Sequence, residues 1–94
     1  MRHHPAIPLF KAFGVPLRLV VFQRVARRPS TASELAKELP IGRAAVVQHL
    51  TALKSLGLVD ASTEGRSRIY RSTPGGLAPL VEWLGVYGNR RADT

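Results

Sequence analysis

The hydrophobic period of the chain changes at Gly57, and this change constrains the fold more than any other feature of the sequence. Before Gly57, apolar residues recur at helical spacing and mark one face of a helix over residues 43–56. These residues are Val46, Leu50, Leu53 and Leu56. After Gly57, two β-prone pairs flank a polar segment that contains Gly65, a pattern typical of a hairpin over residues 58–72. The pairs are Leu58-Val59 and Ile69-Tyr70.

Proline and glycine divide the rest of the chain into short helices. A brief apolar segment at approximately residues 6–14 precedes a helix that opens at Pro16 and stops at Pro29. After the hairpin, Thr73-Pro74 predicts the start of a last helix. The predicted fold is therefore mainly α with a β-hairpin, in the order four helices, two strands and a C-terminal helix.

The helix over residues 43–56 has an outer face without acidic residues. Ala44, Val47, Gln48, Thr51 and Ser55 lie on that face, and Arg43 and Lys54 flank it. A solvated helix normally mixes Glu with Lys on its surface, whereas a face that approaches a polyanion closely excludes acid. A shorter helix is predicted just before it, because Thr31 and Glu34 have the spacing of a capping box. The two helices predict a helix-turn-helix over residues 31–56, with the second helix in the major groove of DNA.

The predicted hairpin is cationic. Arg66 and Arg68 follow Gly65 and have the same parity, so we expect both side chains on one face of the hairpin. A cationic hairpin after a recognition helix is typical of a winged helix-turn-helix, in which the wing reaches phosphates or an adjacent minor groove. We expect the segment 62–71 to make these contacts.

Length and charge agree with a small nucleic-acid-binding protein. The 94 residues suggest a single domain over 1–94, with 14 Lys and Arg against 6 Asp and Glu and a formal charge of +8. Most of these cations are arginine, which suits bidentate contacts to phosphates and base edges. The preferred partner is double-stranded DNA rather than a membrane surface. A structural protein that binds nucleic acid without sequence preference is an alternative with the same charge.

Several other classes of protein are disfavoured. The chain has no cysteine, which excludes disulfides and thiolate sites, and it has only three histidines. Its few acids are scattered, so no catalytic constellation can be assembled and we expect no enzymatic activity. The N-terminus lacks the features of a signal peptide and no apolar run is long enough for a bilayer. These features predict a cytoplasmic protein.

The run SELAKELPIGRAAVVQHLTALKSLGLVDASTEGRSRIYRSTPGGLAPLVEWL resembles the ArsR/SmtB family of bacterial winged-helix regulators. The matching segments are SELAKEL, AVVQHLTALKSLGLV, EGRSRIYR and LAPLVEWL, and the likeness covers roughly residues 12–87. The resemblance implies a homodimeric transcriptional repressor that binds a palindromic operator and releases it when a signal binds. It also implies dimerisation helices at approximately 6–14 and 74–91, with interface residues Leu9, Phe10, Phe13, Leu80, Trp83, Leu84 and Tyr87.

The chain departs from the family at the positions that would sense a metal. Metal-sensing members use cysteines in the third helix or Asp/His clusters in the last, and this chain has neither. No cofactor is therefore expected and the effector is left open. One alternative is a regulator that responds to Ni(II) or Cu(II) through His3 and His4. A free Met1-Arg2-His3 terminus can bind such an ion in a square plane.

Overall fold

The structure, a computed structural model, describes residues 4–88 as five helices and one antiparallel two-stranded sheet. The elements are α1 (Ile7–Phe13), α2 (Pro16–Arg27), α3 (Ala32–Glu38), α4 (Arg43–Ser55), β1 (Val59–Glu64), β2 (Ser67–Ser72) and α5 (Ala78–Tyr87). This order confirms the predicted mainly α fold with a hairpin. None of the described helices is long and apolar enough to cross a membrane.

The end of α4 and the start of α3 are defined by local chemistry that the sequence predicts. Gly57 has a φ of 75°, a backbone region open to glycine. Its N–H donates to the Lys54 carbonyl, and the Leu58 N–H donates to the Leu53 carbonyl, so the last turn of α4 is closed by a Schellman motif. At α3, Thr31 and Glu34 form the predicted capping box, each side chain accepting from the other residue's backbone N–H.

Helix α5 begins at Ala78, so the prediction that it starts at Thr73-Pro74 is wrong. Residues 74–77 instead form a turn in which Gly75 has a φ of 77°. A Cβ added to Gly76 would lie 2.5 Å from the Gly57 carbonyl oxygen. The two glycines thus let the chain pass closely over the end of α4 before the last helix starts.

Helices α2, α3 and α4 pack with the base of the hairpin around one core. Its completely enclosed side chains are Val21, Val25, Leu35, Val46, Leu50, Leu53, Leu58 and Val59. The predicted apolar arc of α4 is confirmed for its first three residues, while Leu56 is partly buried and packs at the edge of the core. Burying one leucine side chain stabilises the fold by about 1.5–3 kcal/mol, so this arc fixes the orientation of α4.

A pair of main-chain hydrogen bonds joins the segment before α3 to strand β2. The Ser30 N–H donates to the Tyr70 carbonyl at 3.0 Å, and the Tyr70 N–H donates to the Ser30 carbonyl at 2.8 Å. Ser30 is completely buried. On its other side, Tyr70 pairs with Ala61 of β1. Tyr70 therefore lies between two neighbouring segments of the same chain. This bridge holds the hairpin, hereafter the wing (residues 59–72), against the helix-turn-helix.

His49 lies on α4 beside its buried face and is half-buried. Burial, and after it the charge of Arg18, lowers the pKa of His49 below its usual 6.5. The buried Nδ1 atom has no hydrogen-bond partner among the described residues. The folded protein therefore favours the neutral imidazole.

We expect stability to fall between pH 7.5 and pH 5.5 because of His49. Its folded pKa is lower than its unfolded pKa, so the unfolded chain binds more protons as the pH drops through about 6.5. The stabilisation is present above this pH and is lost below it. Urea unfolding at the two pH values should show a larger loss for the wild type than for His49→Gln. Equal losses in the two proteins would contradict the assignment.

Candidate nucleic-acid interface

The start of α3, the start of α4 and the tip of the wing enclose a cavity of about 250 Å³, hereafter the polar cleft. It is lined by Thr31, Ala32, Ser33, Arg43, Val47, Arg66, Ser67, Arg68 and Tyr70. Four of the eight residues predicted to contact DNA thus meet in one concave site, although they come from two elements far apart in the sequence.

Arg43 is held at the polar cleft by a hydroxyl group of the neighbouring helix. Its Nε donates to the Ser33 Oγ at 3.2 Å, and both residues are exposed. Arg43 is the first residue of α4, and Gly42 before it provides no side-chain cap. The bond uses one of the donors of the guanidinium, and its terminal amino groups remain as possible donors to an anion.

Arg68 is oriented by Tyr70, the residue that anchors the wing. Its Nε donates to the Tyr70 hydroxyl at 3.1 Å, and its guanidinium carbon lies 5.5 Å from the centre of the Tyr70 ring. Such a cation–π contact restrains the arginine without neutralising its charge. Gly65, whose φ is 63°, and Arg66 form the two-residue loop of the hairpin, and Arg66 is exposed.

The other four predicted residues extend the site along α4. Ala44, Gln48, Thr51 and Lys54 are all exposed. Val47 is half-buried, lines the polar cleft and also packs against the core. The helix thus presents a strip of one small, two polar and one basic side chain beside the cleft. Contact of these residues with DNA stays a prediction.

The acids near the site are engaged elsewhere. Glu34 accepts from the Thr31 backbone N–H, and this hydrogen bond lowers the pKa of Glu34. Hydrogen bonds from Arg24 lower the pKa of Glu38. Both carboxylates are therefore ionised at neutral pH and directed toward their own partners.

On the wing, Glu64 accepts from Arg71 at 3.0 Å. The ion pairs between residues 4–88 involve His4, Arg24, Arg28 and Arg71 as the cations. Within that part of the chain, the cations of the polar cleft and Lys54 have no acidic partner. The interface therefore retains its full positive charge, which is the electrostatic requirement for binding a polyanion.

Helices α1 and α5 meet through aromatic rings. The Phe10 and Trp83 rings lie edge to face with centroids 5.0 Å apart, and the Trp83 and Tyr87 centroids are 4.8 Å apart. Helix α5 has no buried residue. Leu84 is 52% and Tyr87 53% exposed, and Val81 is 64% exposed.

Three of the residues predicted at the dimer interface pack against the core of the chain. Leu9 is 5% exposed and belongs to that core, so its side chain is not available at the surface. Phe13 packs on Phe22 with ring centroids 5.3 Å apart, and Leu80 is partly buried against the core. The exposed part of the predicted interface consists of Phe10, Leu84 and Tyr87, with Trp83 half-buried between the helices.

The predicted metal-binding histidines are placed only in part, because His3 lies outside the described residues. His4 accepts from the Ala6 N–H through Nδ1 at 3.0 Å, so its Nε2 carries the proton that it donates to Glu82 at 3.2 Å. No group of three or more His, Asp or Glu residues within 4–88 is arranged to hold a metal ion. Binding of Ni(II) or Cu(II) stays an alternative hypothesis.

Ser33 and Ser67 are two of the five residues of the polar cleft that the sequence did not identify as part of the site. Each supplies a hydroxyl group beside the arginines. No local sequence pattern points to either residue. Ser33 lies inside the capping-box segment 31–34, and Ser67 lies between two arginines of the wing. Only the packing of α3 against the wing brings these hydroxyl groups to the site.

Comparison with known proteins gives consistent matches. A family model for a helix-turn-helix domain matches residues 14–60. The HTH-type transcriptional regulator Rv2034 of Mycobacterium tuberculosis is 43% identical over 71 residues, which cover 76% of this chain and 66% of that protein. The chain thus spans slightly less than two thirds of the length of this relative.

Two solved structures share the fold. An ArsR-like transcriptional regulator from Rhodococcus sp. RHA1 superposes with a TM-score of 0.79 at 31% identity, over 89% of this chain and 79% of that one. The second is a homodimeric winged helix-turn-helix DNA-binding domain of Mb0332 from Mycobacterium bovis, described as a possible ArsR-family regulator. It superposes with a TM-score of 0.71 at 25% identity, over 94% and 82% of the two chains.

The ion-pairing pattern of the wing predicts different effects for two of its arginines. Arg66→Ala should lower the slope of log affinity against log salt by about 1 on a random-sequence duplex, because an unpaired arginine that meets a phosphate releases a counterion. Arg71→Ala removes the same charge from a residue paired with Glu64 and should leave the slope almost unchanged. Fluorescence anisotropy at several salt concentrations measures both slopes. An unchanged slope for Arg66→Ala would rule out its phosphate contact.

Proposed function

The chain belongs to the ArsR/SmtB family of helix-turn-helix transcriptional regulators, and we propose that it binds double-stranded operator DNA in the cytoplasm as a homodimer. In this proposal α4 enters the major groove and the wing lies along the backbone or the adjacent minor groove. The observation that carries the proposal is the polar cleft, where Arg43, Arg66 and Arg68 converge without an acidic partner among the described residues.

The distance over which the basic residues are spread supports DNA rather than a small anion as the partner. Arg43 lies at the start of α4 and Lys54 lies one residue before its end at Ser55, and the exposed residues between them on this face are uncharged. A surface of this length matches the spacing of several phosphates along one groove better than one isolated anion. The strip is narrow and free of bulky side chains at Ala44 and Thr51, which allows the helix to approach base edges closely.

Gln48 is the residue that we propose to read a base. Its side chain is exposed in the middle of α4, and a glutamine amide can form a bidentate pair with the N6 and N7 atoms of adenine. Val47, at the edge of the cleft, supplies methyl groups that can pack on a thymine methyl. Arg43, Lys54, Arg66 and Arg68 contribute affinity mainly through the backbone.

Dimerisation is supported by the apolar face that α1 and α5 leave exposed. Phe10, Val81, Leu84 and Tyr87 are each between 44% and 64% exposed, and exposed apolar patches are typical of protein–protein contact sites. The related Mb0332 domain is described as homodimeric. A two-fold dimer presents two copies of α4 to a palindromic site. We propose repression as the outcome, because a dimer seated on an operator blocks access to the promoter.

The proposal predicts that Gln48→Ala reduces sequence discrimination. On the preferred site the substitution should lower affinity by about 1–3 kcal/mol, while affinity for random-sequence DNA should change little. The comparison uses competition binding against both duplexes. Ser55→Ala is a matched control on the same exposed side of α4, since its hydroxyl is bonded to the Ala52 carbonyl. Equal weakening on both duplexes would show that Gln48 does not read a base.

A further inference from the structure

Arg24 is an arginine of α2 whose side chain is only 14% exposed. Its Nε and Nη2 atoms donate to the two carboxylate oxygens of Glu38 in a bidentate pair. Its Nη1 atom donates to the Ser30 Oγ at 3.1 Å and to the Arg28 carbonyl at 3.2 Å. The Ser30 hydroxyl in turn donates to the same carbonyl at 2.9 Å. One guanidinium therefore connects the end of α2, the end of α3 and the segment between them.

That segment is the one on which the wing depends. Ser30 exchanges both of its main-chain hydrogen bonds with Tyr70, and the Tyr70 hydroxyl accepts from Arg68 in the polar cleft. The contacts form a continuous chain from Arg24 through Ser30 and Tyr70 to Arg68. Each step is a hydrogen bond between 2.8 and 3.1 Å.

Arg24 is poorly suited to contact DNA itself. Its charge is neutralised by Glu38, and three of its nitrogen atoms already donate within the protein. A bidentate arginine–carboxylate pair fixes both partners in one geometry, so the contribution of such a pair is orientation more than net charge. The neighbouring Arg27 lies on the same helix, is exposed and belongs to none of the ion pairs between described residues.

We propose that Arg24 is a positioning residue for DNA binding, which holds the Ser30 segment so that the wing and its arginines face the groove entered by α4. This inference rests on the proposed function. A residue that does not contact DNA thereby influences the affinity of the protein for DNA. Without Arg24, the Ser30–Tyr70 bridge opens more often and the wing arginines lose their fixed direction.

The first test measures the wing in the absence of DNA. Hydrogen exchange followed by NMR should show that Arg24→Met speeds exchange of the Ser30 and Tyr70 amides by about tenfold or more through local opening. The amides of Leu50 and Leu53 in α4 should be unaffected. Arg27→Met is the control with the same chemical change. Ser30→Ala is a milder variant that removes the hydroxyl group, which accepts from Arg24 and donates to the Arg28 carbonyl. Unchanged protection at Ser30 and Tyr70 in both Arg24→Met and Ser30→Ala would overturn the proposal.

The second test asks whether the effect on DNA passes through the wing. Arg24→Met should weaken duplex binding about tenfold in the wild-type background but less than about twofold when Arg66 and Arg68 are already alanine, because coupled residues are not additive. A loss of stability alone would give the same factor in both backgrounds, which would contradict the positioning role. If the wild type binds no duplex, the proposed function fails, and the exchange result still decides whether Arg24 holds the wing.

Discussion

The geometry of the interface depends on two hydrogen bonds between Ser30 and Tyr70. They are the only ladder contacts that join the helix-turn-helix to the wing within the described residues. A two-stranded hairpin alone is marginally stable in water, and pairing with a third chain segment gives it a defined direction. Because Tyr70 also restrains Arg68, the same two bonds determine where the positive charge of the wing lies.

The distribution of acids is as informative as the distribution of arginines. Each described carboxylate near the polar cleft has a local partner, and it either caps α3 or pairs with an arginine of α2 or β2. The acids therefore stabilise the scaffold without screening the cleft. This separation explains how α4 can carry an acid-free outer face while the chain keeps enough ion pairs to fix its helices.

Local features of the fold were predictable from the sequence, whereas contacts between distant segments were not. The capping box at Thr31, the helix end at Gly57 and the arc of α4 each follow from residues within one or two turns of one another. The start of α5 was mispredicted because Thr73-Pro74 resembles a cap, although Gly76 must pass over the Gly57 carbonyl. The Ser30–Tyr70 bridge joins residues forty positions apart without a side-chain signature. For the same reason, the sequence identified the arginines of the site but not Ser33 or Ser67.

We propose that a dimer uses α4 and the wing to recognise one DNA sequence. The decisive experiment is selection of the purified, untagged protein on a random duplex library. We expect enrichment of a palindrome whose half-sites lie about one helical turn apart. Tight, salt-sensitive binding without any enriched sequence would contradict it and would identify a nonspecific nucleic-acid-binding protein instead.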